Sequence, residues 1–138
     1  MHIYSKTNVS MEEYRMYKYV LDLGIVNIPP IVNYNKKTRV LDTIKINEMN
    51  VADLYSDDPD EVPKEVFDKI RAIIIKLYEN NIIYPDITGY NFIKSGDNIW
   101  IVDFEHASCI IDRKEANKKY PFVDKFINGL NSWNPFFE

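Results

Sequence analysis

The stretch Tyr84-Pro85-Asp86-Ile87-Thr88-Gly89-Tyr90-Asn91 is the most polar short loop between two strongly apolar parts of the chain. Asp86 on its own reads as a turn residue or a helix cap, because aspartate is common in such loops. Asn91 adds a neutral oxygen of the kind that a hard cation such as Mg²⁺ accepts. The loop therefore predicts either a plain turn or one part of a metal-dependent site.

A second acidic residue has an equally unusual setting. Asp103 follows Ile99-Trp100-Ile101-Val102, a predicted strand that is apolar on both faces. A carboxylate at the end of a buried strand is costly unless it is paired, bound to a cation or held by backbone N–H groups. Phosphoryl transfer needs one carboxylate to orient a hydroxyl and accept its proton, and a second carboxylate with an amide oxygen to hold metal. Asp86, Asn91 and Asp103 together match that requirement.

The composition fits one domain with a real core. The chain has 138 residues, of which 46% are hydrophobic, and a net charge of −4. This charge argues against nucleic acid or a membrane surface as partner, since both favour clustered basic residues. No apolar run is long enough to span a membrane, and the N-terminus lacks a signal-like segment. The single cysteine, Cys109, fits a reducing intracellular setting, and its apolar neighbours predict that it is buried.

The hydrophobic patterns predict an α+β order of elements. Ser10 and Glu13 form a capping-box pattern at the start of a helix, and Gly24 is typical of a left-handed helix end. The predicted elements are a strand at His2–Lys6, a helix from Ser10 to Leu23, strands at Ile31–Tyr34 and Arg39–Ile46, a short helix at Val51–Tyr55, a long helix from Pro63 to Asn80, a hairpin of Phe92–Lys94 and Asn98–Phe104, and a last helix at Glu115–Leu130.

The loop at 84–91 resembles the catalytic loop of protein kinases, H-R-D-x-x-x-x-N. The segment Val102-Asp103-Phe104-Glu105 resembles their D-F-G segment, with Glu in place of Gly, a variant familiar from choline kinases and aminoglycoside phosphotransferases. The resemblance covers about residues 63–105. It implies a single protein-kinase-like domain, 1–138. A reduced N-lobe at about 1–48 would lack the Gly-rich loop hairpin, and a minimal, mostly helical C-lobe would occupy about 49–138.

The resemblance also implies residue roles in a Mg²⁺- or Mn²⁺-dependent reaction of ATP. Asp86 would be the catalytic base that serves a hydroxyl acceptor. Asn91 and Asp103 would hold the metal. Glu105 would be a further ligand or merely a strand-end carboxylate. His106 is interpreted as a polar loop residue rather than a base.

The nucleotide side of the site is implied by the upstream segments. Lys6 would hold the α- and β-phosphates and Glu13 would be its ion-pair partner, although Glu13 is equally explained as a helix cap and Glu12 competes for the role. The stretch Asn47–Leu54 resembles the hinge, so the backbone near Glu48 and Met49 would bind adenine.

Departures from the kinase pattern leave the function open. Tyr84 stands where the loop histidine is expected, and no long activation segment follows Ala107. The acceptor is therefore expected to be a small molecule, or a protein reached through a partner. The alternative is an inactive, pseudokinase-like protein that binds nucleotide, a protein partner or a second copy of itself. A metal-dependent nuclease would need more carboxylates and a basic surface. The bias towards Ile, Asn, Lys and Tyr suggests an AT-rich source such as a large virus or a parasite. The protein is expected to be intracellular and cytoplasmic, and in the host cytoplasm if the source is viral.

Overall fold

The computed structural model describes residues 2–136 and shows an α+β chain with three small sheets and five helices in that range. Short 3-10 turns lie at Pro59–Glu61 and Gly89–Asn91. The strands are β1 (Ile3–Lys6), β2 (Ile31–Asn35), β3 (Val40–Ile44), β4 (Ile82–Ile83), β5 (Phe92–Ser95), β6 (Asn98–Ile101) and β7 (Ser108–Cys109). The helices are α1 (Met11–Leu23), α2 (Val51–Tyr55), α3 (Lys64–Glu79), α4 (Arg113–Lys119) and α5 (Pro121–Ile127).

The N-terminal part is a three-stranded antiparallel sheet in the order β1-β3-β2, accompanied by α1. Lys6, at the end of the edge strand β1, lies opposite Leu41 of β3. Helix α1 begins as predicted, because the Ser10 hydroxyl accepts a hydrogen bond from the Glu13 backbone N–H at 3.1 Å. It ends as predicted at Gly24, whose φ of 64° is accessible to glycine at little cost.

Helix α3 carries the main apolar face of the C-terminal part. Its buried residues recur at the helical period: Val66, Phe67, Ile70, Ile73, Ile74 and Leu77. The helix starts one residue later than predicted, because Pro63 adopts the extended cap conformation and Lys64 is the first helical residue. The helix then leads into β4, which pairs with β7 on the other side of the polar loop.

An aromatic cluster joins the N-terminal helix to the loop that carries Asp86. Phe104 is fully buried between Tyr17 of α1 and Tyr84, with ring centroids 5.5 Å and 5.3 Å away in edge-on arrangements. Such pairs stabilise a core beyond their buried area. The residue after Asp103 is thus fixed in the core that both halves of the chain share.

Two predictions about the C-terminal third are wrong. The single helix predicted at 115–130 is two helices that meet at Tyr120, because Pro121 lacks the N–H that would continue the first helix. Cys109 is exposed rather than buried, since β7 is a two-residue strand with both side chains open to solvent. Within residues 2–136, no helix is long and apolar enough to cross a membrane.

Candidate active site

Lys6 is the centre of the charged end of the site. Its Nζ lies 2.6 Å from Glu13 Oε2 and 3.0 Å from Asp103 Oδ1. The short separation between Lys6 and Glu13 in sequence suffices, because the Ser10 cap starts α1 directly after β1 and brings the first helical turn back towards the strand. Burial acts to lower the pKa of Lys6, but the hydrogen bond to Glu13 and the charge of Asp103 outweigh it and raise that pKa. Lys6 is therefore a permanently charged bridge between two segments.

Glu13 is buried, although it is a carboxylate in the first turn of a helix. Its side chain is 3% exposed, and burial raises its pKa while Lys6 opposes the shift. The predicted capping role is half realised, since Ser10 caps the helix while the Glu13 carboxylate is directed to Lys6. A buried carboxylate that pairs with a lysine at a cavity wall is a functional-site feature as much as a structural one.

Asp103 adopts a left-handed backbone conformation, with φ 67°. This region is uncommon for residues with a Cβ, and such residues cluster at functional sites. The Asp103 Oδ1 accepts the Glu105 N–H at 3.1 Å, which compensates locally for the unusual turn. The Asp103 side chain is 33% exposed, so its carboxylate is accessible just after the C-terminal end of strand β6.

Asp86 lies in the most continuously buried segment of the chain, residues 82–89. Its Oδ2 is 2.6 Å from His106 Nδ1, while its buried Oδ1 has no hydrogen-bond partner among the described residues. Burial raises the pKa of Asp86, and the contact with His106 opposes that shift. A buried carboxylate with an unused oxygen is expected at a site that handles a proton.

Asn91 connects the two acidic residues. Its side-chain N–H group donates to the Asp86 backbone carbonyl at 2.9 Å, which leaves the amide oxygen for another partner. Its backbone carbonyl accepts the Val102 N–H at 3.0 Å, next to Asp103. Asn91 and Asp103 both line the same cavity, and their amide and carboxylate oxygens fit a hard cation.

Glu105 does not share that cavity. Its side chain is exposed, and its contribution to the site is the backbone N–H that bonds Asp103. Within residues 2–136, no three His, Cys, Asp or Glu side chains form a metal cluster. A cation held by Asn91 and Asp103 would complete its shell with phosphate oxygens and water, which is usual for Mg²⁺.

Tyr84, which replaces the expected histidine, links the loop of Asp86 to the segment of Asp103. Its hydroxyl donates to the Val102 carbonyl at 2.6 Å, and its ring is 1% exposed. Burial raises the pKa of Tyr84 well above its ordinary value, so the hydroxyl stays protonated as a donor. The substitution therefore keeps the two halves of the site together.

A cavity of about 320 Å³ opens beside these charged groups. This volume is at the small end of the range for small-molecule sites. The polar end of the cavity is formed by Lys6, Glu13, Asn91 and Asp103. Its apolar walls include Leu41, Ile44, Ile46, Ile93 and Val102.

The predicted hinge is placed slightly differently from expectation. Glu48 lines the cavity, but Met49 does not; its side chain is 51% exposed and its carbonyl accepts the Lys94 N–H at 3.3 Å. The end of β3 and the residues after it, 44–46, line the cavity together with Glu48 and Asn50.

His106 is the residue that sequence reasoning undervalued. It was interpreted as a polar loop residue, but it forms an ion pair with the predicted base. The hydrogen bond to Asp86 raises the pKa of His106 above its ordinary value. Its position just after the Asp103 segment was the only signal in the sequence.

The fold and the site define a protein-kinase-like chain with a reduced N-terminal sheet. Lys6 and Glu13 lie on a strand and a helix, Asp86 and Asn91 on a buried loop, and Asp103 at a strand end. Residues 3–118 match the sequence model of the RIO domain, so the chain belongs to the RIO domain family. This family is protein-kinase-like, as the motifs indicated, although the D-F-E segment had suggested the small-molecule kinases.

A solved structure with the same fold is the kinase PK-1 of Cydia pomonella granulovirus. The two chains share 15% sequence identity and superpose with a TM-score of 0.56. The match covers 78% of this chain and 42% of the granulovirus kinase. The chain thus spans less than half of that protein, and the likeness concerns the fold.

Proposed function

We propose that this chain is a Mg²⁺-dependent phosphotransferase that moves the γ-phosphoryl group of ATP to a hydroxyl acceptor. The observation that carries the proposal is Lys6 Nζ, which bridges Glu13 at 2.6 Å and Asp103 at 3.0 Å at the wall of the cavity. A partly exposed lysine that two carboxylates hold at a cavity wall is placed to contact the phosphate groups of a bound nucleotide.

Each residue of the site would have a separate role in binding nucleotide and metal. Lys6 would hold the phosphates, with Glu13 fixing its orientation. Asn91 and Asp103 would hold Mg²⁺, which supplies charge neutralisation between the phosphates. The nucleotide base would lie against the apolar walls near Leu41 and Ile93.

Asp86 would orient the acceptor and take its proton. In the transfer step the acceptor oxygen bonds to the γ-phosphorus, the bond from that phosphorus to the bridging oxygen of ADP breaks, and the hydroxyl proton passes to the Asp86 carboxylate. Because Oδ1 is closed to solvent, the acceptor would approach Oδ2 and displace His106, whose side chain is 50% exposed.

A second candidate is a protein that binds nucleotide without transferring phosphate. The observation that favours it is the same His106 contact, which occupies the oxygen of Asp86 that an acceptor would need. The two candidates agree about the nucleotide and differ about turnover, so binding and transfer must be measured separately.

The test is the thermal stability of the purified chain with Mg²⁺ and ATP, compared with Asp103→Asn and Asp97→Asn. Asp97 is a matched control, because it is fully exposed in the turn between β5 and β6. A ligand that binds only the folded state at 100 times its dissociation constant adds about 2.7 kcal/mol to stability. We expect a metal-dependent rise for the wild-type protein and Asp97→Asn, and none for Asp103→Asn.

Transfer is then followed as ADP release with hydroxyl-bearing small molecules and proteins as acceptors. A metal-dependent rise together with transfer supports the phosphotransferase. A rise without transfer to any acceptor favours the second candidate. The absence of a rise with any nucleotide contradicts both.

A further inference from the structure

The last described segment of the chain runs beneath the loop that carries Asp86. Asn134, 2% exposed, donates from its side-chain Nδ2 to the Pro85 carbonyl at 2.8 Å. Its backbone N–H donates to the Ile87 carbonyl at 2.9 Å. These two carbonyls belong to the residues on either side of Asp86, so one residue holds the loop at both flanks of the predicted base.

The carbonyls of Pro85 and Asp86 accept backbone N–H groups from within the loop, whereas the Ile87 carbonyl accepts the N–H of Asn134. The Ile87 N–H bonds the Pro85 carbonyl at 2.8 Å, and the Thr88 N–H bonds the Asp86 carbonyl at 3.0 Å. A buried carbonyl requires a donor, and a carbonyl oxygen has two lone pairs, so it can accept a second one. Asn134 supplies an additional donor to Pro85 and a donor to Ile87.

The orientation of the Asn134 amide is fixed from its other end. Its Oδ1 accepts the Phe136 N–H at 3.1 Å. The amide therefore presents N–H to the loop and oxygen to the tail, and the reverse orientation would lose both bonds. An apolar side chain at this position would keep the backbone bond to the Ile87 carbonyl, but it would remove the buried second donor to the Pro85 carbonyl and the acceptor of the Phe136 N–H.

The tail itself is anchored on α3, the best-buried helix of the chain. The Trp133 ring packs on Phe67, with centroids 4.7 Å apart. Arg71 donates to the Phe126 carbonyl at 2.7 Å and to the Leu130 carbonyl at 3.0 Å. Asn134 thus connects the loop of the predicted base to a rigid helix through a tail held by both apolar and polar contacts.

We propose that Asn134 is the positioning residue that holds Asp86 in register for phosphoryl transfer. The effect on phosphoryl transfer rests on the proposed function, whereas the bonds of Asn134 to the loop are present without nucleotide. Asn134 touches no reacting group. It acts by keeping the backbone of residues 85–87 in one conformation, so that the carboxylate meets the acceptor at the correct distance.

The test compares Asn134→Ala with Asn131→Ala. Asn131 is the matched control, because it lies on the same tail, is exposed and contacts only Arg71 among the bonds described for its side chain. Amide hydrogen exchange is measured at Ile87 and Thr88, with the core amides of α3 as reference, and kcat and KM for ATP are measured with an acceptor that the wild-type protein uses. Asn134→Ser, which retains a donor on a shorter arm, is measured in the same way if the alanine variant does not fold.

We expect faster exchange at Ile87 and Thr88 in Asn134→Ala, without a matching change in α3. Misplacement of a reacting group by about 1 Å costs up to about a hundredfold in rate, so kcat should fall by about tenfold or more. KM for ATP should stay unchanged, because Lys6 on β1 and Asp103 after β6 lie outside residues 85–87. The control should change neither quantity.

Three results would overturn the proposal. One is exchange at Ile87 and Thr88 equal to that of the control. Another is equal acceleration across α3 with parallel changes in kcat and KM, which would mean general loss of stability. The third is faster local exchange with an unchanged kcat. If the wild-type protein transfers no phosphate, the proposed function fails, while the exchange comparison still decides whether Asn134 holds the loop.

Discussion

The loop that carries Asp86 and the segment that carries Asp103 are held in different ways. Residues 82–89 are all buried, and Asp86 has backbone support from Asn91 and from both bonds of Asn134. Asp103 is one-third exposed, has a left-handed backbone and is followed by residues that are mostly open to solvent. One acidic residue is embedded in the core, and the other lies at its surface.

The difference follows from the tasks proposed for the two carboxylates. A base must be fixed relative to its acceptor, because transfer depends steeply on distance. A metal ligand at the opening of a cavity must be accessible to a hydrated ion. Without metal, the Asp103 carboxylate bonds Lys6 and the Glu105 N–H, and a metal ion would compete with these partners. Within residues 2–136, the two segments are tied together directly by the Tyr84 hydroxyl, the Asn91 backbone carbonyl and the contact of His106 with Asp86.

The strongest test of this contrast compares the transfer rate and the ligand-dependent stability of Asp86→Asn with those of Asp103→Asn. Loss of a general base lowers rates by about 10²–10⁴-fold, so transfer should nearly vanish in Asp86→Asn. The Mg²⁺- and ATP-dependent rise in melting temperature should persist, because Asp86 does not line the cavity. Stability without ligand should change little, since removal of a buried charge and loss of the pair with His106 act in opposite directions.

The readouts are ADP release at saturating ATP and thermal unfolding with and without ligand. Transfer at the wild-type rate in Asp86→Asn would remove this residue from the mechanism. Loss of the nucleotide-dependent rise would show that the two acidic residues do not have separate tasks.

The link between the two segments is tested by Tyr84→Phe. This change keeps the ring contacts with Phe92 and Phe104 and removes only the hydroxyl that bonds the Val102 carbonyl. A buried acceptor left without its donor costs about 1–3 kcal/mol, so the free energy of unfolding should fall by about that amount. Urea denaturation measures it, with the slope against denaturant unchanged.

Tyr19→Phe is the control for Tyr84→Phe, because Tyr19 is 46% exposed on α1. Equal stability of the two variants would mean that the hydroxyl of Tyr84 does not hold the segments together.

The smallest effect is expected from His106→Gln, which removes the ion pair with Asp86. The contact raises the pKa of His106, so its stabilising contribution is complete below the unfolded value of about 6.5 and is lost as pH rises through the raised folded value. Because the imidazole is half exposed, we expect less than about 1 kcal/mol.

The measurement is the difference in unfolding free energy between wild type and His106→Gln across pH. The difference should be largest on the acid side of about pH 6.5 and should shrink under alkaline conditions. A difference that grows as pH rises would contradict the ion pair.

Much of the site was predictable because its residues occur in short, ordered patterns. Asp86 and Asn91 lie in one loop motif, and Asp103 follows a buried strand. The structure pairs Lys6 with Glu13, as the resemblance implied, and also brings Lys6 to Asp103. Their roles in binding nucleotide and metal stay predictions.

The errors came from residues whose environment depends on distant parts of the chain. Cys109 has apolar neighbours in sequence, yet a two-residue strand leaves it exposed. Met49 does not line the cavity, and its predicted role in binding adenine stays a prediction. His106 belongs to no recognisable motif, and its partner Asp86 lies 20 positions earlier in the chain.

The sequence by itself determined the caps of α1, the apolar face of α3, the order of elements from β1 to α3 with the hairpin of β5 and β6, and the acidic motifs. These depend on interactions between residues a few positions apart, which local composition encodes. Only the tertiary structure decided that Lys6 meets Asp103 across 97 positions and that Asn134 supports Pro85 across 49. Contacts at such separations are set by how the elements pack around one core, because the chain itself places no such residues side by side.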